Sequence, residues 1–290
     1  MRRTIAGLCL MLLLASCNWS NRVSPGRFEA RAREVVARWD GSAGDRAWRS
    51  GFVPLGGLQD RGGWTDPPAW AALSAHNGVW KLAAELPADP LAEARLRWPD
   101  GSVSEVPLVT AAHAYAELSK PADFIEEECP AKGCRPLRVT GAELGETTLE
   151  TSRGTIRVPA WLFTVKGVES KFVYVAVTPS AITARPQAAE REFEEVKGFD
   201  LIAGKPHDLL LEYGYGSCDR VHGARAYETG KLVVVDVDEE SSGSGEICDL
   251  ALHMDTTTVT LSRPLGDRLV LDSGTGLPVV RGVTPLYGRG

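Results

Sequence analysis

The residues closest to a recognisable chemistry run from Leu269 to Thr275, Leu-Val-Leu-Asp-Ser-Gly-Thr. Apolar residues leading into Asp-Ser-Gly-Thr are how an aspartic peptidase presents a catalytic carboxylate. That reaction needs two such aspartates sharing a proton. The sequence holds no second Asp-Thr-Gly or Asp-Ser-Gly. The expectation is a strand that ends in a glycine turn, with Asp272 capping the loop. Asp236 and Asp238 alternate on one strand face, so two carboxylates could converge on calcium. Their run, Asp236-Val-Asp-Glu-Glu240, does not match an EF-hand loop and reads as a solvated hairpin end that discourages edge pairing.

Other catalytic patterns fail on spacing. Ser242-Gly-Ser-Gly245 is not the Gly-x-Ser-x-Gly elbow of a serine hydrolase. His76, His113, His207, His222 and His253 show no zinc-binding spacing. Gly214-Tyr-Gly-Ser217 is not followed by a helix, so it suggests neither a dinucleotide nor a phosphate loop. No catalytic residue, metal or cofactor is expected. The chain reads as a non-enzymatic binding or structural module, and the alternative is an envelope hydrolase built around Asp272 or Asp236.

Tryptophan offers a binding chemistry instead. Seven of the eight tryptophans (Trp19, Trp39, Trp48, Trp64, Trp70, Trp80 and Trp98) precede residue 100. Indole joins a large apolar face to a polar N–H, which suits it to sugar rings. Trp64, Trp70 and Trp80 are the candidates for a glycan or solute site, if they stand exposed in a row. Otherwise the tryptophans fill the core of a small, loop-rich domain.

The N-terminus addresses the chain. Arg2 and Arg3 precede an apolar run from Ile5 to Leu14, too short to span a bilayer, and Leu14-Ala-Ser-Cys17 follows. This stretch resembles the lipobox signal of bacterial lipoproteins. The resemblance implies cleavage before Cys17 and a diacylglycerol thioether on its sulfur. Residues 1–16 would then be the signal and 17–27 a polar tether. The implied location is the extracytoplasmic face of the cell membrane, held by lipid, with an envelope protein or glycan as partner. The net charge is −6 with no basic patch, which argues against nucleic acid.

Four further cysteines remain, Cys129, Cys134, Cys218 and Cys248. In an exported chain an even count points to disulfides. Three pairings are possible. The local ones, Cys129–Cys134 and Cys218–Cys248, are expected because each staples one region. The first spacing is not that of a Cys-x-x-Cys redox site, and no histidine lies near it.

These features need elements to hold them. Phe28, Ala32, Val35, Val36 and Trp39 form one apolar stripe and predict a helix over 27–40. Residues 42–68 predict no regular structure beyond a short extended piece near 52–55. Strands 94–98 and 103–109 flank Pro99-Asp-Gly-Ser102, a turn in which Pro sets φ and Gly supplies a positive φ. A brief helix is expected over 110–118, and residues 119–133, with prolines and an acidic run, read as a linker. Strands at 136–140, 146–151, 155–164 and 171–177, separated by glycine turns, lead to one or two helical turns near 190–197. Further strands are expected at 207–213, 220–228, 231–237, 247–253, 257–261 and 268–271. The fold expected is α+β and mostly β. A small α+β domain (28–118) precedes an all-β sandwich- or barrel-like domain (134–290) with two disulfides.

Two stretches carry a wider resemblance. Cys134-Arg-Pro-Leu-Arg-Val-Thr-Gly-Ala-Glu-Leu-Gly145, Thr151-Ser-Arg-Gly154 and Val158-Pro-Ala-Trp-Leu-Phe163, together with Val259–Arg268 and Leu271-Asp-Ser-Gly-Thr-Gly276, are similar to secreted, lipid-anchored actinobacterial proteins of unknown function. The resemblance covers the last 160 residues or so. It implies a bacterial envelope protein and brings no catalytic residues.

Overall fold

The computed structural model describes residues 22–60, 67–88, 93–123, 125, 127–189, 192–241, 248 and 251–282. The signal, Cys17 and Trp64 lie outside them. The chain is mostly β, with short helices towards its N-terminal end, and both expected disulfides, Cys129–Cys134 and Cys218–Cys248, are formed. It divides into two compact units. One takes residues 38–188, and the other joins residues up to 37 with residues from 189 onward.

Helix α1 (Pro25–Trp39) follows the apolar stripe: Phe28, Ala32, Val35 and Trp39 are buried. Pro25 is its first residue, a position where the missing N–H costs nothing. The tether expected to reach residue 27 therefore stops short of it. Helix α2 (Ala43–Ser50) lies where no regular structure is expected. Ser42 caps it by accepting from Asp45 N at 3.1 Å, and the Asp45 carboxylate takes Trp39 Nε1 at 3.1 Å and Arg49 Nε at 2.7 Å.

Within the unit of residues 38–188, strand β1 (Gln59–Asp60), helix α3 (Ala69–His76) and strand β2 (Trp80–Leu82) come first. The expected hairpin follows as β3 (Glu93–Arg97) and β4 (Val103–Pro107), with Gly101 at φ 83° in its turn. Helix α4 (Ala111–Leu118) is capped by Thr110, which accepts from His113 N at 3.1 Å. Strands β5 (Leu137–Thr151), β6 (Gly154–Val165) and β7 (Phe172–Val175) complete a sheet of order β1-β7-β6-β5-β2, in which only β2–β5 is parallel.

This sheet changes its buried face along β6. Trp161, Phe163 and Val165 pack under α3 and α4, whereas Ile156 and Val158 pack with Phe52, Leu96, Trp98 and Val106 on the opposite face. Alternation along a strand requires the two sets to point opposite ways.

Two expectations are corrected here. Residues 119–133 are no domain boundary between 28–118 and 134–290. β2 pairs with β5, and α3 and α4 share one core with β5, β6 and β7. The 119–133 stretch is a connection inside one unit, tied down by Ala122 N to His76 O, Asn77 Nδ2 to Glu127 O and Cys129 N to Asn77 Oδ1. Nor do glycines divide 136–151 into two strands. Gly145 pairs with Ala160 in mid-ladder, and a Cβ there would lie 2.7 Å from Leu162 Cδ1. That glycine makes room for a cross-strand side chain rather than a turn.

The second unit is a small barrel. Strands β8 (Gly198–Ile202), β9 (Lys205–Gly216) and β12 (Leu252–Thr260) form one sheet, and β10 (Arg220–Glu228), β11 (Leu232–Glu240) and β13 (Leu269–Asp272) form the other. β10 lies alongside β12. On the far side residues 278–282 close the gap. Val279 N bonds Val270 O on β13, while Phe199 N bonds Val280 O and Gly282 N bonds Phe199 O on β8. Inside lie Phe199, Leu209, Leu211, Val233, Val235, Val237, Val259 and Val270. β12 is one strand where two were expected, and described residues 192–197 are not helical.

Candidate functional site: an arginine–carboxylate cluster on the outer face of the barrel

β11 reads Leu-Val-Val-Val-Asp-Val-Asp-Glu-Glu. Val233, Val235 and Val237 point into the barrel, so Leu232, Val234, Asp236 and Asp238 point out. They do not meet water. Asp236 is 1% exposed and Asp238 8%. The solvated hairpin end expected of these aspartates is corrected: Asp236 sits on the central strand of its sheet under arginines from α1 and β10, and Arg22 reaches over Asp238.

The matching of charge is close. Asp236 Oδ1 accepts from Arg31 Nη2 at 3.0 Å and Asp236 Oδ2 from Arg225 Nε at 2.8 Å, with Arg225 Nη2 also paired to Oδ2. Arg22 holds Asp238 through Nε at 2.8 Å and through Nη2. The Arg22 hydrogen bond leads the effects that hold the Asp238 carboxyl below the usual range. Arg225 also donates to Val23 O at 2.8 Å and lies 5.0 Å from the Phe28 ring centroid. A buried charge is tolerated when it is paired and hydrogen-bonded, and the outer face of β11 meets that condition with three guanidinium groups.

Asp272 completes the cluster from β13, whose parallel pairing sets it beside Val235. Its Oδ2 accepts from Thr275 N and Thr275 Oγ1, both at 2.8 Å, and its Oδ1 from Glu195 N at 3.1 Å and Val196 N at 3.0 Å. Burial pushes this carboxyl up, against the four donors that favour its charged form. Gly274 is needed for the arrangement: a Cβ there would stand 2.1 Å from Phe193 O, so only glycine lets residues 193–196 lie across the turn. Asp-Ser-Gly-Thr here builds a capped turn with a segment docked on it.

Between these aspartates lies Ser273, 1% exposed. Its hydroxyl accepts from Arg31 Nη2 at 2.6 Å and has Glu195 Oε2 at 3.1 Å and Asp236 Oδ1 at 3.0 Å as acceptors for its one proton. Glu195 accepts from Arg31 Nη2 at 2.8 Å. Burial, followed by its hydrogen bond to Asp236 and the charge of Asp236, pushes Glu195 up to about 8, opposed by Arg31. Chemically this is a proton-sharing carboxyl pair capped by a guanidinium. Its two deepest groups, Asp236 and Ser273, are closed to an incoming molecule.

Arg22, Arg31, Arg225, Glu195 and Ser273 escape a motif search. One signal was legible: an aspartate inside a run of valines on a central strand has to have a partner. A glycan site would need Trp64, Trp70 and Trp80 exposed in a row, and the two that are described pack on the core instead. Trp70 is half-buried against the core and lies under Arg135, 4.1 Å from its ring centroid. Trp80 is half-buried and meets Phe172 edge-on at 5.0 Å. Trp64 lies outside the described residues. Comparisons of this chain with family profiles, with curated proteins and with solved structures find no match.

Proposed function

We propose that this chain is a lipid-anchored protein of the extracytoplasmic membrane face whose folded part is a non-enzymatic binding or structural module. The observation that carries the reading is the arginine cluster. Each acidic group there that could serve a hydrolase is already committed to the fold. Asp272 accepts four hydrogen bonds, Asp236 lies between two arginines, and Glu195 faces Arg31. A hydrolytic dyad would need two carboxylates facing one substrate. Position in the chain supports the anchoring half. Arg22 lies within the tether expected after Cys17 and Arg31 just beyond it, and both bind β11 or its neighbours. A pull on the anchor would be borne by these ion pairs. A receptor built on Trp64, Trp70 and Trp80 has less support, because two of the three pack on a core.

The test has two arms. Cells expressing the chain are fed an alkyne-bearing fatty acid, and the membrane fraction is assayed for label and for hydrolysis of peptide and glycan substrates. The expected result is label that Cys17→Ser abolishes while releasing the protein, and no hydrolysis. Hydrolysis lost in Asp272→Asn, or a chain that stays unlabelled and in the supernatant, would overturn the reading.

A further inference from the structure

The inner face of the same barrel carries a second acidic group in different company. Directly opposed residues of an antiparallel pair share a face. The β9–β12 register therefore places Leu209 with Val259, Leu211 with Thr257, Tyr213 with Asp255 and Tyr215 with His253, all inward. The β10–β11 register sets Val221 beside Glu239, which continues the inward row of Val233, Val235 and Val237. The apolar interior thus gives way at one end to Tyr213, Tyr215, His253, Asp255 and Glu239. Asp219, in the turn before β10, joins them by a hydrogen bond to Glu239.

Three observations mark this mouth. Tyr213 is 5% exposed, its ring buried while its hydroxyl stays open to solvent and, among the described residues, makes no hydrogen bond. Burial, then the charges of Asp255, Tyr215 and Glu239, push its phenol up. The aromatic rings form a run: Tyr213 to Tyr215 at 5.8 Å between centroids and Tyr215 to His253 at 5.4 Å. Among the described residues no ion pair involves Glu239, Asp219 or Asp255, while the arginines lie on the opposite face of β11 with Asp236 and Asp238. Burial and the Asp219 hydrogen bond push Glu239 up to about 7.

We propose that the mouth of the barrel binds an organic cation, an alkylammonium or guanidinium group, between Tyr213 and Tyr215 and the carboxyls of Glu239, Asp255 and Asp219. Barrel mouths are favoured ligand sites. Aromatic faces attract such cations, and the attraction grows when the pair is desolvated. A cation there would also give Tyr213 and the carboxyl pair the charge partner that the fold withholds. The inference rests on the proposed binding role and names the chemistry of what is bound.

The chain has six tyrosines, so selective labelling gives few resonances. The full chain in detergent, tyrosine-labelled, is titrated with n-butylammonium chloride, with butanol, butyrate and calcium chloride as comparisons. The expected result is saturable movement of the Tyr213 and Tyr215 signals with butylammonium alone, while Tyr115 and Tyr174 stay put. Glu239→Gln with Asp255→Asn should weaken binding at least tenfold. Should that pair fail to fold, Asp219→Asn should still weaken it several-fold. Silence towards butylammonium, an equal response to butanol, or a response to calcium in its place would overturn the inference. With the fatty-acid label present and hydrolysis absent, that failure would leave the anchored, non-enzymatic reading standing.

Discussion

One strand, β11, offers carboxylates to both of its faces, and the two faces treat them differently. On the outer face Asp236 and Asp238 are held by Arg22, Arg31 and Arg225. On the inner face Glu239 has a second carboxyl, Asp219, and tyrosine rings nearby. The same residue chemistry is therefore a fastening on one side and an open valence on the other. Whether a buried acid is structural depends on which cation the fold supplies to it, and a two-residue period along the strand separates the two outcomes.

The sharpest way to break this contrast is to remove one acid from each face. Asp236→Ala leaves Arg31 and Arg225 short of a partner, and breaking such a buried pair costs about 3–5 kcal/mol. Glu239→Ala relieves a carboxyl pair and should change stability by less than about 1 kcal/mol. Equal losses in urea titrations of the two variants would erase the distinction.

Next in size is the rim of the mouth. Cys218–Cys248 closes a 30-residue separation there, and its loss in Cys218→Ser should cost about 2–4 kcal/mol. Cys129→Ser opens a separation of only five residues and should cost less. Thermal melts of the two variants rank them.

A smaller effect separates capping from catalysis at Asp272. Thr275→Val removes one donor from its carboxylate and should cost about 1–3 kcal/mol. Urea unfolding reads this directly.

A separate contrast lies in pH. A glutamate whose folded pKa is raised holds its proton in the folded state at pH values where the unfolded chain has lost it, so stability falls as pH rises between the two values. For Glu239 the fall runs from an unfolded value of about 4.3 to about 7, and for Glu195 to about 8. Glu239→Gln should flatten the lower part of the profile, and Glu195→Gln the part that persists to about 8. If either variant keeps the native slope, the proton sits elsewhere on its face.

How much of this was open to reading from the chain varies with the range of the interaction. Local signals served well. The stripe Phe28–Trp39 gave α1, Pro99-Asp-Gly-Ser102 gave its hairpin, and the two short cysteine spacings gave their disulfides. Glycine misled where its role was contact rather than turning. Gly145 and Gly274 are required by atoms of Leu162 and Phe193, which no local pattern reveals. The domain boundary failed for the same reason: the β2–β5 pairing across residues 80–139 outweighs the linker-like composition between them. At the arginine cluster only Asp272, Asp236 and Asp238 were visible, because Arg31 meets Ser273 across 242 positions of sequence.

The barrel is assembled from both ends of the chain, and this has a consequence for the order of events during synthesis. Residues 38–188 are continuous and can reach their native pairings as soon as they emerge. The barrel cannot. Its outer cover, α1, appears early, and the segment that closes it, 278–282, appears only after all of its strands. Pairings between distant residues are slow to form, and exposed strand edges meanwhile invite misassembly. α1 therefore waits with an uncovered apolar stripe until nearly the whole chain is available. A nascent chain stopped before residue 278 would present a folded middle flanked by two unfinished arms, which makes residues 278–282 a timing signal for the acquisition of the barrel's native state.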